Sequence, residues 1–212
     1  MANEYLDDYE QEQQVKQWLR ENGGAIVMGI ALGLGLVFGY MYWRDQGVAK
    51  DLNAASAFNQ LADASDETSA QSRYEAYSEQ FGDSAFAGFA GLNAVAELVE
   101  EGELEQAAAI LENVIATGEP PAVRDIARLR LARIQIANGD FDQALALTQK
   151  ASPAFSALAA QVRGDAHKAS GNDAAARDAY QSALDDPSVS AASRNILQMK
   201  LDELGGTESA AS

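Results

Sequence analysis

Between Ala25 and Trp43 the chain reads AIVMGIALGLGLVFGYMYW, 19 consecutive residues without a charged side chain. A helix of that length rises about 28 Å, close to the roughly 30 Å hydrocarbon core of a bilayer. Tyr40, Tyr42 and Trp43 gather at one end of the run and Trp18 precedes the other, the placing expected of interfacial anchors. A buried core helix is the competing reading, but such helices are seldom apolar on every face for so long. A cleaved leader needs a basic start and a small-residue cleavage site. Here residues 1–22 hold Glu4, Asp7, Asp8, Glu10, Glu12 and Glu21 against Lys16 and Arg20, and the run ends in Tyr-Met-Tyr-Trp-Arg. The run therefore reads as an uncleaved transmembrane anchor over residues 23–43.

Orientation is undecided by charge: Lys16 and Arg20 before the span balance Arg44 and Lys50 after it, and acidic residues contribute little to the positive-inside rule. Gly29 with Gly33, and Gly35 with Gly39, form two small-xxx-small pairs that can mark a helix-packing face in a membrane. Leu6, Tyr9, Val15, Trp18 and Leu19 fall at helical spacing and suggest a short amphipathic helix at the membrane surface.

The rest of the chain is acidic. Residues 51–212 carry 25 acidic and 11 basic side chains, a net −14, within a whole-chain charge of −17. That argues against nucleic acid, which needs clustered Lys and Arg. The chain has no cysteine and a single histidine, His167, so thiol chemistry, thiolate metal sites and His-based triads are absent from it. No phosphate-binding loop, dinucleotide fingerprint or nucleophile elbow occurs. The reading is a non-enzyme with no catalytic residues, cofactor or metal.

Alanine and leucine recur at period 3.6 between short breaks, predicting helices near 48–62, 67–80, 84–101, 103–117, 121–138, 140–151, 153–170, 172–185 and 188–204. The breaks themselves repeat: Gly102-Glu103-Leu104, Gly139-Asp140-Phe141 and Gly171-Asn172-Asp173, with the glycines 37 and 32 residues apart. These spacings bracket the ~34-residue tetratricopeptide period. In each unit glycine would end helix A in a left-handed cap, an acidic or amide residue would cap helix B, and an alanine five positions after the glycine would let the helices touch. The third unit, 157–188, fits best, with Gly164, Ala176, Tyr180, Ala183 and Pro187 in their usual places. The second puts Arg128 and Gln135 where large apolar residues are usual, and the first has Gly91 where a large one is normal. Ile196, Leu197, Leu201 and Leu204 mark a final capping helix. The fold class is all-α: one transmembrane helix, then a tetratricopeptide-like solenoid with a C-terminal cap. The segments are an acidic tail (1–22), the span (23–43), a juxtamembrane helix or linker (44–66), the repeat domain (67–204) and a disordered tail (205–212).

Several residues resemble a known family together. Gln14, Val15, Trp18 and Arg20 precede a glycine-rich span ending in Gly39-Tyr40 and Trp43. Further on come Ala127-Arg128-Leu129-Arg130-Leu131-Ala132-Arg133, Arg163-Gly164-Asp165 and Leu197-Gln198-Met199-Lys200-Leu201. Across nearly its whole length the chain resembles the YfgM family of proteobacterial inner-membrane proteins. The resemblance implies a cytoplasmic N-terminus, one span and a periplasmic domain. It also implies association with the SecYEG translocon and the membrane-anchored chaperone PpiD, with exported unfolded proteins handed onward. A scaffold for envelope complexes or stress signalling, without client binding, is the alternative.

In a tetratricopeptide unit, four positions of helix A line the concave groove. They map to Phe89, Leu92, Ala96 and Val99, to Ile126, Leu129, Arg133 and Ile136, and to Leu158, Gln161, Asp165 and Lys168. The first two sets are mostly apolar, and the expected partner groove is Phe89, Leu92, Val99, Ile126, Leu129, Arg133 and Ile136. The opposing reading lets a neighbouring helix such as 67–80 cover it. Glu97, Glu100, Glu101, Glu103 and Glu105 read as a solvated face, because calcium-loop spacing is missing. His167 reads as a packing or hydrogen-bonding residue, and Arg163-Gly164-Asp165 as helix interior rather than an adhesion loop.

Overall fold

The computed structural model describes the backbone of residues 4–63 and 68–210, and the side chains of that range except 4–15, 43, 45, 46, 62, 63 and 206–210. Leu6, Tyr9, Val15 and Trp43 lie outside the described side chains. Among the described residues there are nine α-helices, one 3-10 turn and no strand. The helices are α1 (Glu4–Asp63), α2 (Ala70–Phe81), α3 (Ala85–Glu101), α4 (Leu104–Thr117), α5 (Pro121–Asn138), α6 (Phe141–Gln149), α7 (Ser156–Ala169), α8 (Asp173–Leu184) and α9 (Ala191–Ala210). The chain divides into two units, residues 1–52 and 53–212.

The first unit is helical throughout its described length. The amphipathic segment, the apolar run and the residues beyond it share α1, because no proline interrupts them and glycines, even the Gly23-Gly24 pair, only weaken a helix by about 1 kcal/mol each. Within α1 one stretch is long and apolar enough to cross a membrane. Val27, Met28, Leu32, Leu36 and Phe38 are exposed, as lipid-facing side chains would be and core side chains would not. A Cβ added at Gly29, Gly33, Gly35 or Gly39 would meet nothing within 4 Å.

In the second unit each helix packs on the next in sequence, and α3, α5 and α7 also touch in succession. These contacts define three antiparallel hairpins, α3–α4, α5–α6 and α7–α8, closed by α9. The hairpin turns share one backbone device. Gly102 and Gly139 stand at φ 82° and 83°, a left-handed conformation that a side chain would strain. The Glu103 N–H reaches the Leu98 carbonyl at 2.8 Å and the Gly102 N–H reaches Val99 at 3.2 Å. Asp140 and Gly139 repeat this on Gln135 and Ile136 at 2.8 and 3.1 Å, and Asn172 and Gly171 on His167 and Lys168 at 2.8 and 3.0 Å. This is the Schellman pattern, made three times.

The expected side-chain caps are realised only in the third unit, where Asn172 Oδ1 accepts from the Ala175 N–H at 3.2 Å. Glu103 and Asp140 make no capping bond, and Glu103 accepts from the Gln106 side chain instead. With the backbone already fixing these turns, the cap is dispensable.

The unit boundary at 52/53 differs from the expected one at 66/67. Ala54 is fully buried, its carbonyl accepts from the Tyr77 hydroxyl at 2.8 Å, and Phe58 packs on Phe86 with ring centroids 5.8 Å apart. The last turns of α1, within the segment expected as a juxtamembrane helix or linker, thus supply apolar cover for α2 and α3. At the other end α9 runs on to Ala210, past Gly205, where the sequence reading ends it.

The departures from the repeat pattern have local causes. A Cβ at Gly91 would meet Val114, Tyr74 and Ile110, so α2 and α4 already fill the space a large residue would take. Arg128 pairs with the buried Asp125 one turn earlier, and Asp125 also accepts from the Ser152 N–H at 3.4 Å, tying α5 to the turn after α6.

Candidate partner groove between α3 and α5

Helices α3 and α5 are the A helices of the first two hairpins. Between them runs a groove of about 400 Å³ lined by Val95, Ala96, Val99, Glu100, Leu104, Arg130, Arg133, Ile134 and Ala137. The spacing on α5, 130, 133, 134 and 137, is one helical stripe. Its walls are apolar apart from three charged residues. Tyr74 and Tyr77 of α2 are buried in the cluster that holds α3, and no α2 residue lines the groove. Helix 70–81 therefore leaves it uncovered.

Of the expected groove residues, Val99 and Arg133 line it and are exposed. Phe89 is exposed and Ile126 and Ile136 are half-buried, but none of the three lines it. Leu92 and Leu129 are core residues, Leu129 only 1% exposed. On α5 the lining is rotated from the expected stripe: Arg133 is common to both, while Arg130, Ile134 and Ala137 stand in place of Leu129, Ile126 and Ile136. One residue is about 100° of helix rotation, enough to exchange a core face for a groove face. The degenerate second unit left that register weakly specified.

Pattern reading missed Val95, Glu100, Leu104, Arg130, Ile134 and Ala137, and of these Arg130 has the most distinctive surroundings. Its guanidinium donates to the Leu92 carbonyl at 2.8 Å, and burial together with the neighbouring Arg133 charge pulls its pKa below the usual arginine value. A charge-pairing signal was present in the sequence. Arg124 and Arg128 have acids within reach, Glu119 and Asp125, and pair with them. Arg130 and Arg133 have no acid three or four residues away, and among the described residues neither forms an ion pair.

The other singled-out residues have structural neighbours. Gly164 lies mid-helix in α7 against the Tyr180 ring, so Arg163-Gly164-Asp165 is helix interior. Asp165 accepts from the Tyr180 hydroxyl at 2.7 Å and pairs with Lys200 of α9. Burial and that carboxylate push the Tyr180 phenol well above its ordinary pKa. The half-buried His167 lines a polar crevice with Asp140, Gln143 and Asn172. The five glutamates of the run are all exposed; Glu97 also pairs with Arg73 of α2, and Glu100 borders the groove. Among the described residues no three His, Asp or Glu side chains converge as a metal site.

Residues 16–206 match the tetratricopeptide repeat-like domain family. The chain is 29% identical over 204 residues to a Haemophilus influenzae protein, the match covering 94% of this chain and 99% of that one. It is 29% identical over 204 residues to an Escherichia coli K12 protein, covering 94% and 98%, and 26% identical over 206 residues to one from Aggregatibacter actinomycetemcomitans, covering 92% and 98%. Each of the three bears the name Ancillary SecYEG translocon subunit, in agreement with the family resemblance read from the sequence. No solved structure matches the chain.

Proposed function

The chain belongs to the tetratricopeptide repeat-like domain family, and from that premise we propose that it is a membrane-tethered interaction protein of the SecYEG translocon. It assists periplasmic chaperones, a PpiD-type partner among them, in handling newly exported proteins. The observation that carries this reading is the open apolar groove between α3 and α5, in a chain that also holds a helix long and apolar enough to cross a membrane. Apolar grooves between helices recognise helical or extended apolar segments. The names of the relatives supply the translocon. The span is the inner-membrane anchor, its glycine pairs 29/33 and 35/39 a packing face for another membrane helix, with residues 1–22 cytoplasmic and the repeats periplasmic.

Photo-crosslinking residues placed at Val99 and Arg133 of the full chain in growing cells test the proposal. Capture of a translocon subunit, a PpiD-type chaperone or an exported chain is the expected result. Normal membrane levels of the protein with none of these captured would overturn it. Reporter fusions after residue 60 test the topology, and activity confined to a cytoplasmic reporter would reverse it.

A further inference from the structure

The α3–α5 groove is electrically unlike the domain that holds it. Helix α5 carries four arginines against one aspartate in a region of net −14. Two of the four are held by acids, and the other two, Arg130 and Arg133, stand one turn apart on the groove wall without an anionic partner among the described residues. Like charges so placed repel, and burial together with that repulsion lowers the pKa of Arg130. Holding them together on an apolar wall costs free energy that an anion between them would return. On the facing wall, Glu100 repels an anion on the α3 side.

We propose that the groove selects a polypeptide segment in which two or three apolar residues are bordered on one side by a carboxylate, the apolar side chains lying on Val99, Leu104 and Ile134 and the carboxylate on Arg130 and Arg133. Guanidinium and carboxylate pair in a planar, two-bonded geometry that a point cation does not offer. The acidic surface around the groove disfavours heavily anionic partners such as anionic membranes or nucleic acid. What remains favourable is a local charge match inside an apolar contact. Glu100 fixes the direction in which the segment lies.

This rests on the reading of the groove as a peptide site, and the experiment separates the two. Full-length protein in phosphatidylcholine nanodiscs is titrated with three fluorescent 12-residue peptides. They share one Leu/Ala/Ser core and end in two Glu, two Gln or two Lys. The Glu peptide should bind about tenfold more tightly than the Gln peptide at low salt, with the gap closing near 0.5 M salt as screening grows, and the Lys peptide should bind most weakly. Arg133→Glu, at an exposed position, should invert the order, and Val99→Glu should weaken all three. Equal binding of the three peptides that is still lost in Val99→Glu would overturn the charge selection and leave the peptide groove standing. No binding, or binding indifferent to Val99→Glu, would overturn both. Tighter binding to phosphatidylglycerol vesicles than to the Glu peptide, lost in Arg133→Glu, would assign the arginines to lipid and overturn the proposal.

Discussion

The Tyr180 hydroxyl donates a 2.7 Å hydrogen bond to Asp165 while its ring covers Gly164, the residue just before that aspartate. One side chain thus reads two consecutive residues of α7, one for its charge and one for its lack of a side chain. Lys200 of α9 completes the set, its ammonium pairing with Asp165 and standing 5.4 Å from the Tyr180 ring centroid.

Gly164→Ala should therefore be destabilising although alanine is the better helix former. Its methyl would drive into a fully buried ring, and overpacking of this kind costs about 1–3 kcal/mol. Thermal unfolding of the full chain in detergent reads this as a lower Tm of the repeat domain. A Tm equal to or above that of the parent would mean the α7–α8 contact is looser than described.

Leu129→Glu and Val99→Glu should separate core from groove. Leu129 is 1% exposed and Val99 44%. A carboxylate at 129 is a buried unpaired charge, costing several kcal/mol or raising its own pKa, so the melt should fall steeply. At 99 the same change should leave the melt within about 0.5 kcal/mol. Partner capture lost at 99 with an unchanged melt is the signature of an open groove.

Acid should loosen the C-terminal cap first. The Lys168 ammonium holds the Glu203 carboxyl below its ordinary 4.5, and hydrogen bonds from Ser156 and Ser188 hold Asp186 below its ordinary 3.8. A carboxyl depressed in the folded state contributes stability above its unfolded pKa and loses it as pH falls through the folded value. Urea midpoints should therefore be level from pH 7 to about 5 and decline below 4.5. Glu203→Gln should shrink the difference between pH 6 and pH 3, and an undiminished difference would remove Glu203 from the account.

Gly139→Ala should cost about 1 kcal/mol, because φ 83° disfavours any Cβ although space is open around it. Gly102→Ala should behave alike. Neither change should alter the groove charges, so peptide discrimination should persist at temperatures where the variants stay folded.

The membrane-length apolar helix, the hairpins and the helix-ending glycines were legible because each is a local signal: an uncharged run, a 3.6 period, a residue that tolerates positive φ. Gly164 against Tyr180 was also legible, since the third unit keeps the repeat pattern. The groove was read only in part. Ala96, Val99 and Arg133 line the groove, but Leu129, expected there too, is buried; the degenerate second unit, with Arg128 at an apolar position, leaves the rotation of α5 weakly specified. The burial of Ala54 and the packing of Phe58 on Phe86 depend on residues more than 20 positions away, beyond the reach of periodicity.

Because every helix of the repeat unit leans on its sequence neighbours, mechanical damage should stay local. Arg177 of α8 donates to the Leu204 carbonyl, and Leu197 and Leu204 seal Tyr180 and Ala183. A protease nicking near Pro187 would strip that seal and bare the α7–α8 hairpin, while α3 and α5 lie two hairpins and one hairpin away.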